Sequence, residues 1–211
     1  MRPLALAFAL GLAFSATAAQ AAEQVRAAAP FTSIKAQGPF SVTVDAGSAS
    51  QSVVVSGSDR FVNGVITEVV NGELRLRMRD KSLNSANGEE RIVLIKVGQL
   101  RAFEAEGAGE IKLNNIRGER LDVNYRGAGR MVINGKVKTF RMTAEGVGEV
   151  DSKALIANDA DIRFQGIGDV KVYASDRLDV AVQGLGNLSY FGKPRSVNRS
   201  VAGLGSVKAG E

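Results

Sequence analysis

The sequence predicts an all-β protein whose body is a parallel β-solenoid with coils of about nineteen residues. Three observations carry this expectation. A Gly-x-Gly triplet recurs six times, at Gly107-Ala108-Gly109, Gly127-Ala128-Gly129, Gly146-Val147-Gly148, Gly166-Ile167-Gly168, Gly184-Leu185-Gly186 and Gly203-Leu204-Gly205. The residues around each triplet alternate strictly: Leu121, Val123, Tyr125, Met131 and Ile133 take every other position, with Asp122, Asn124, Arg126 and Arg130 between them. That period of two is the mark of a strand. Aligned on the first glycine, the repeats form apolar columns: Ala105, Tyr125, Ala144, Phe164, Val182 and Val201 two residues before it, and Ile111, Met131, Val150, Val170, Leu188 and Val207 four after. A third column, Phe103, Val123, Met142, Ile162 and Val180, is broken by Arg199 in the last repeat. A fixed short period with stacked apolar positions is how a repeat buries its edge against the next.

Taken in order, the chain begins with Met1-Arg2-Pro3, the apolar stretch Leu4 to Phe14, and the small residues Ser15 to Ala22 with an A-x-A site at Ala19-Gln20-Ala21. This is the layout of a secretory signal peptide over residues 1–21, so export to the periplasm, the cell surface or the medium is expected. The stretch is too short for a stable membrane span, and no other segment reaches that length, so no integral membrane segment is expected. No cysteine follows, so a lipid anchor is not expected either. Residues 22–30 read as a short linker and 31–211 as one domain, with irregular opening coils over 31–98 and regular GxG coils over 99–208. Within the opening part, Ser41 to Val44, Val53 to Val55, Glu73 to Met78 and Ile92 to Val97 read as strands, Asn71-Gly72 as a turn and Asp80 to Glu90 as a polar surface loop. Between the later strands stand the turn signals Asn114-Asn115, Asn134-Gly135, Asn158-Asp159 and Ser175-Asp176.

Composition narrows the chemistry. There is no cysteine and no histidine, which removes disulfides, a thiol nucleophile, the Ser-His-Asp triad and His-ligated zinc. The net charge of +5 is spread along the chain without a run of like charges, which describes a solvated surface and no nucleic-acid arm. No helix follows the glycine triplets, so they are not a phosphate loop.

Two orientations of the triplets are open. In the first, alternation runs through them, the glycines face inward where a Cβ would not fit, and Val147, Ile167, Leu185 and Leu204 form an outward apolar stripe. In the second, the glycines are corners with positive φ, and the middle residues enter the core. The outward stripe would be an interface for docking or self-association. Charged residues also fall in columns: Glu106, Arg126 and Glu145; Glu110, Arg130 and Glu149; Asp122, Arg141 and Asp161. Alternating signs on neighbouring rungs read as stabilising ladders. Glu149 and Asp169, one rung apart, have the spacing of a retaining glycosidase pair, but any stacked acids in such a repeat would match it. Gly166-x-Gly168-Asp169 echoes a calcium-binding nonapeptide once, without tandem copies.

Phe31-x-x-Ile34-x-x-x-Gly38-x-Phe40-x-Val42-x-Val44, the GxG units and Gly186-Asn187-Leu188-Ser189-Tyr190-Phe191-Gly192-Lys193-Pro194 together resemble the exported bacterial family described as putative auto-transporter adhesin, head GIN domain. The resemblance covers about residues 31 to 208. It implies a right-handed β-solenoid, pectin-lyase-like in shape, an adhesive role and no established catalytic residues. The family often carries Ser or Thr between the two glycines, where this chain has Ala, Ala, Val, Ile, Leu and Leu.

The resulting expectation is a non-catalytic exported module for adhesion, surface binding or envelope scaffolding. Its partner would be a protein or glycan, it would be capable of homo-oligomerisation, and it would need no cofactor and no metal. The alternative is a polysaccharide-binding or polysaccharide-active envelope protein.

Overall fold

The computed structural model describes residues 22–79 and 90–210. The expected signal peptide and all but the last residue of the polar loop 80–90 lie outside the described residues. The strands are β1 (Ala22–Arg26), β2 (Ser33–Gln37), β3 (Ser41–Ala46) and β4 (Ser52–Gly57), then helix α1 (Asp59–Gly64). They continue as β5 (Val65–Val70), β6 (Glu73–Met78), β7 (Arg91–Val97), β8 (Ala102–Tyr173), β9 (Arg177–Phe191), β10 (Ser196–Gly203) and β11 (Ser206–Ala209).

The chain does not form the regular parallel β-solenoid of pectin-lyase-like shape that the repeat predicts. Eight strands follow one another in the order β1-β4-β7-β3-β8-β2-β6-β5, and along this path β1/β4, β4/β7 and β5/β6 are antiparallel. The mixed sheet curls into a nearly closed, barrel-shaped wall around one core that runs from Phe31 to Val207. The physical reason lies in residues 22–97. Asn71 and Gly72 both have positive φ, 51° and 75°, which makes a two-residue primed turn and folds β6 straight back on β5. The segment read as a linker is itself structured, since Ala22 to Arg26 form β1 against β4. Helix α1 was not expected. Ser58 caps it, its hydroxyl accepting from the Phe61 N–H, and Phe61 and Val62 are buried.

The repeat signal holds where the repeats adjoin. As one straight strand, β8 would extend roughly 240 Å; instead it winds back on itself, stacking Gly127 on Gly107, Gly146 on Gly127 and Gly166 on Gly146. Its last repeat pairs in parallel with β9, placing Phe164 beside Val182, Gly166 beside Gly184 and Val170 beside Leu188. Next, β10 and β11 pair in parallel with β9, setting Val201 beside Val182 and Val207 beside Leu188. The apolar columns point inward and are buried, with Val201 the exception. Large and small side chains alternate down one of them: Ala105, Tyr125, Ala144 and Phe164 are all buried, so each ring lies between smaller neighbours. Ser152 is a polar member of the core, and its hydroxyl donates to the Lys171 carbonyl at 2.7 Å. At the turns, Asn115 adopts a left-handed φ of 58°, and its N–H donates to Asn134 Oδ1 at 2.9 Å.

Candidate binding surface

The glycine triplets combine one half of each expected orientation. Gly107, Gly109, Gly127, Gly129, Gly146, Gly148, Gly166, Gly168, Gly184 and Gly203 have positive φ, as corners do; Gly186 and Gly205 do not. Yet the middle residues face out: Val147 is 54% exposed, Ile167 51%, Leu185 51% and Leu204 87%. The constraint on the glycines is also not a narrow interior. A Cβ on Gly146 would overlap the carbonyl of Gly127, and one on Gly166 the carbonyl of Gly146. Backbone meets backbone between neighbouring rungs, so no side chain fits.

The result is a ridge of apolar side chains with bare backbone on both sides, bounded by two polar columns. One column runs Glu106, Arg126, Glu145, Gln165, Gln183 and ends on Ala202; the other runs Glu110, Arg130, Glu149, Asp169, Asn187, Ser206. Both change character along the body. Where the ridge residues are Ala108 and Ala128, the flanks are mainly ionic; where they are Ile167, Leu185 and Leu204, the flanks are mainly amides and a hydroxyl. This coincidence of large apolar groups with loss of charge is the composition of an interface centre. It was legible in the aligned repeats, in Gln165, Gln183 and Asn187, but only the outward direction of the middle residues gives it meaning.

Two of the three expected charge ladders form in part, each between its last two members, while Glu110 takes Lys112 of its own strand at 2.7 Å. Arg126 reaches Glu145 at 2.9 Å, and Gln37 Nε2 donates to Glu106 at 3.2 Å. In the second, Glu149 is held by Lys171 at 3.0 Å and Arg130 at 3.6 Å. Beyond it Asn187 donates to Asp169 at 3.3 Å, and Ser206 to Asn187 at 2.8 Å. The third ladder does not form: Asp122 takes Arg120 at 2.7 Å and Asp161 takes Arg163 at 3.4 Å, each from its own strand. The local partner two residues away on the same face of the strand wins over Arg141 on the next rung.

The electrostatics favour the ionised form of Glu149, so it is not the protonated acid of a glycosidase pair. The hydrogen bond from Lys171 lowers the Glu149 carboxyl below its ordinary value, reinforced by the charges of Lys171 and Arg130. A glycosidase acid needs the opposite, a carboxyl kept protonated by burial. Among the described residues no group of three or more acidic side chains is placed to hold a metal ion.

Open depressions run along the face on the Arg126 side of the ridge. One of about 250 Å³ lies among Glu104, Asn124, Arg126, Thr143 and Glu145. One of about 200 Å³ follows among Glu145, Arg163, Gln165 and Gln183, and a larger one of about 600 Å³ sits at Gln37, Pro39, Arg77 and Glu106. Glu106 and Glu145 each line two of them, so they adjoin as one shallow trough of mixed polar and apolar lining. Among the described residues no helix is long and apolar enough to cross a membrane.

A curled β wall with an exposed ridge and an open trough defines a protein that presents a surface. The chain belongs to the family described as putative auto-transporter adhesin, head GIN domain, whose model matches residues 30–194. In fold it is similar to the crystal structure of a putative adhesin from Bacteroides fragilis, at 22% identity and a TM-score of 0.73, covering 91% of this chain and 98% of that one. A putative adhesin from Parabacteroides merdae is similar at 15% identity and a TM-score of 0.56, with 92% and 97% covered. No curated protein matches the chain.

Proposed function

We propose that the protein is a non-catalytic, exported surface-binding module that engages its ligand through the ridge Val147, Ile167, Leu185 and Leu204. The observation that carries this reading is the exposed apolar row, whose flanks turn neutral at Leu185 and Leu204. The family's description as an adhesin agrees with it, as does the N-terminal export signal. Four half- to fully exposed side chains fall well short of the roughly 800 Å² per partner of a stable specific interface. Contact must therefore spread over the flanking polar columns or be repeated across many copies, and multivalent attachment is how weak contacts serve adhesion.

The trough favours a second reading, a glycan ligand, because Asn124, Thr143, Gln165 and Gln183 offer the donors and acceptors that hydroxyl groups need. A glycan array combined with a reducing-sugar release assay separates the readings. Specific glycan binding without release moves the ligand into the trough. Release of sugar overturns the non-catalytic reading. Capture of envelope proteins that is lost when Ile167 and Leu185 become serine supports the ridge.

A further inference from the structure

The last rung of the body differs from every rung before it. β10 pairs only with β9, and among the described residues no strand lies on its other edge. Its inward positions are consequently open: Val201 is 42% exposed and Val197 38%, where their column neighbours Val182 and Leu178 on β9 are buried. The backbone is open on the same side. The N–H of Ser196 donates to Asp176 and that of Leu204 to Gly184, both back toward the body. In a parallel ladder alternate residues bond to opposite neighbours, so the N–H and C=O groups of Val197, Arg199 and Val201 point to the open side.

The third inward position is Arg199, which breaks the apolar column. Its guanidinium lies across the end of the core and donates to the Val207 carbonyl at 3.1 Å. Charge around it is one-sided. From residue 187 to 210 the chain carries Lys193, Arg195, Arg199 and Lys208 and no acidic residue. Asp176 from the preceding turn occupies Arg195 at 2.7 Å.

From these features we infer that the open edge of β10 accepts an extended strand of a partner protein with an apolar-x-acidic-x-apolar pattern. Its two apolar residues cover Val197 and Val201, and its carboxylate meets Arg199. Main-chain hydrogen bonds supply the attachment and the inward side chains the selectivity, as in other strand additions. An all-apolar strand would bury the Arg199 charge without a counterion, which is unfavourable, whereas a carboxylate in register pairs with it. The same charge excludes a second copy joined edge to edge about its midpoint, since Arg199 would face Arg199. An inward-pointing charge is a known guard on exposed edges; here it also sets which strand is admitted.

The probe is a blocked, fluorescently labelled seven-residue peptide with valine at positions two and six, glutamate at four, and serine or threonine elsewhere. A second peptide carries lysine at position four. By fluorescence anisotropy with the purified protein, the glutamate peptide is expected to bind at least tenfold more tightly than the lysine peptide. Arg199→Glu is expected to reverse that order. Val201→Pro removes one outward N–H without touching the ladder to β9, and should abolish binding of both peptides. Equal affinity for the two peptides, or binding that survives Val201→Pro, overturns the inference. Should Val201→Pro fail to fold, hydrogen exchange on the unmodified protein decides: new protection at Val197, Arg199 and Val201 on adding the peptide supports it, and protection confined elsewhere overturns it. A dimer that already protects these amides without peptide also overturns it. None of these readouts involves the ridge, so they are independent of the adhesive reading.

Discussion

Gly146 shows what a single position demands in this protein. Its φ of 130° is closed to most side chains, and a Cβ would run into the Gly127 backbone of the rung before it. Gly146→Ala has two ways to fail, strain and collision, and both act on main chain that cannot move aside. We expect it to destabilise by more than the 0.5–3 kcal/mol usual for point substitutions, which a denaturant melt or failure to accumulate will show. Tyr125 presents the opposite case. Among the described residues its hydroxyl is buried without a partner, and burial raises its pKa. An unsatisfied buried group is unfavourable by about 1–3 kcal/mol. Tyr125→Phe should therefore leave stability unchanged or raise it, and a lower melting temperature would reveal a partner for the hydroxyl. Tyr125 was legible as a core residue from its column. That its hydroxyl finds no partner among the described residues is not written in the column and comes from the packing.

At the scale of the element, the ridge and the ladders are both properties of stacked repeats. The double change Ile167→Ser with Leu185→Ser removes apolar surface already in water, so the fold should survive with a nearly unchanged melting temperature. What should be lost is binding, or oligomeric order in light scattering if copies meet through the ridge. Unfolding would mean that the two side chains belong to the core, since burial makes such losses cost roughly 2–5 kcal/mol each. Strand periodicity alone left this open, because a positive φ at glycine is compatible with either direction of the residue between. The structure closes the question through contacts between rungs that are about nineteen residues apart in the chain. The ladders carry a pH signature. Hydrogen bonds and charge from Arg126, Lys171 and Arg195 lower the carboxyls of Glu145, Glu149 and Asp176 respectively. A carboxyl whose folded pKa lies below its unfolded value contributes stability that is present above the unfolded value and lost as pH falls through the folded one. Thermal melting should accordingly decline on acidification below about pH 4.3, the ordinary glutamate value, and salt should shrink the effect. Arg126→Ala should leave the fold intact and flatten part of that decline. Global unfolding on this change would show that the ladder is not a surface feature.

Across the whole molecule, the division between sequence and tertiary structure follows the range of the interactions. The sequence by itself determined the all-β class, the strands of the second half, the inward columns and the places where only glycine is admitted. These follow from alternation within a strand and from register between adjoining repeats, both of which are written in consecutive residues. It also carried an N-terminal stretch with the layout of a signal peptide, and the absence of histidine and cysteine, which frames the chemistry whatever the fold. The tertiary structure decided how residues 22–97 meet the rest. A primed turn at Asn71-Gly72 and the return of β4 onto β7 and β1 make the sheet mixed, and neither pairing has a repeat to announce it. It also decided that Val147, Ile167, Leu185 and Leu204 stand in solvent and that, among the described residues, β10 has a strand on one edge only. Outwardness and openness depend on which chain segments lie alongside, a relation between distant residues that no local pattern contains.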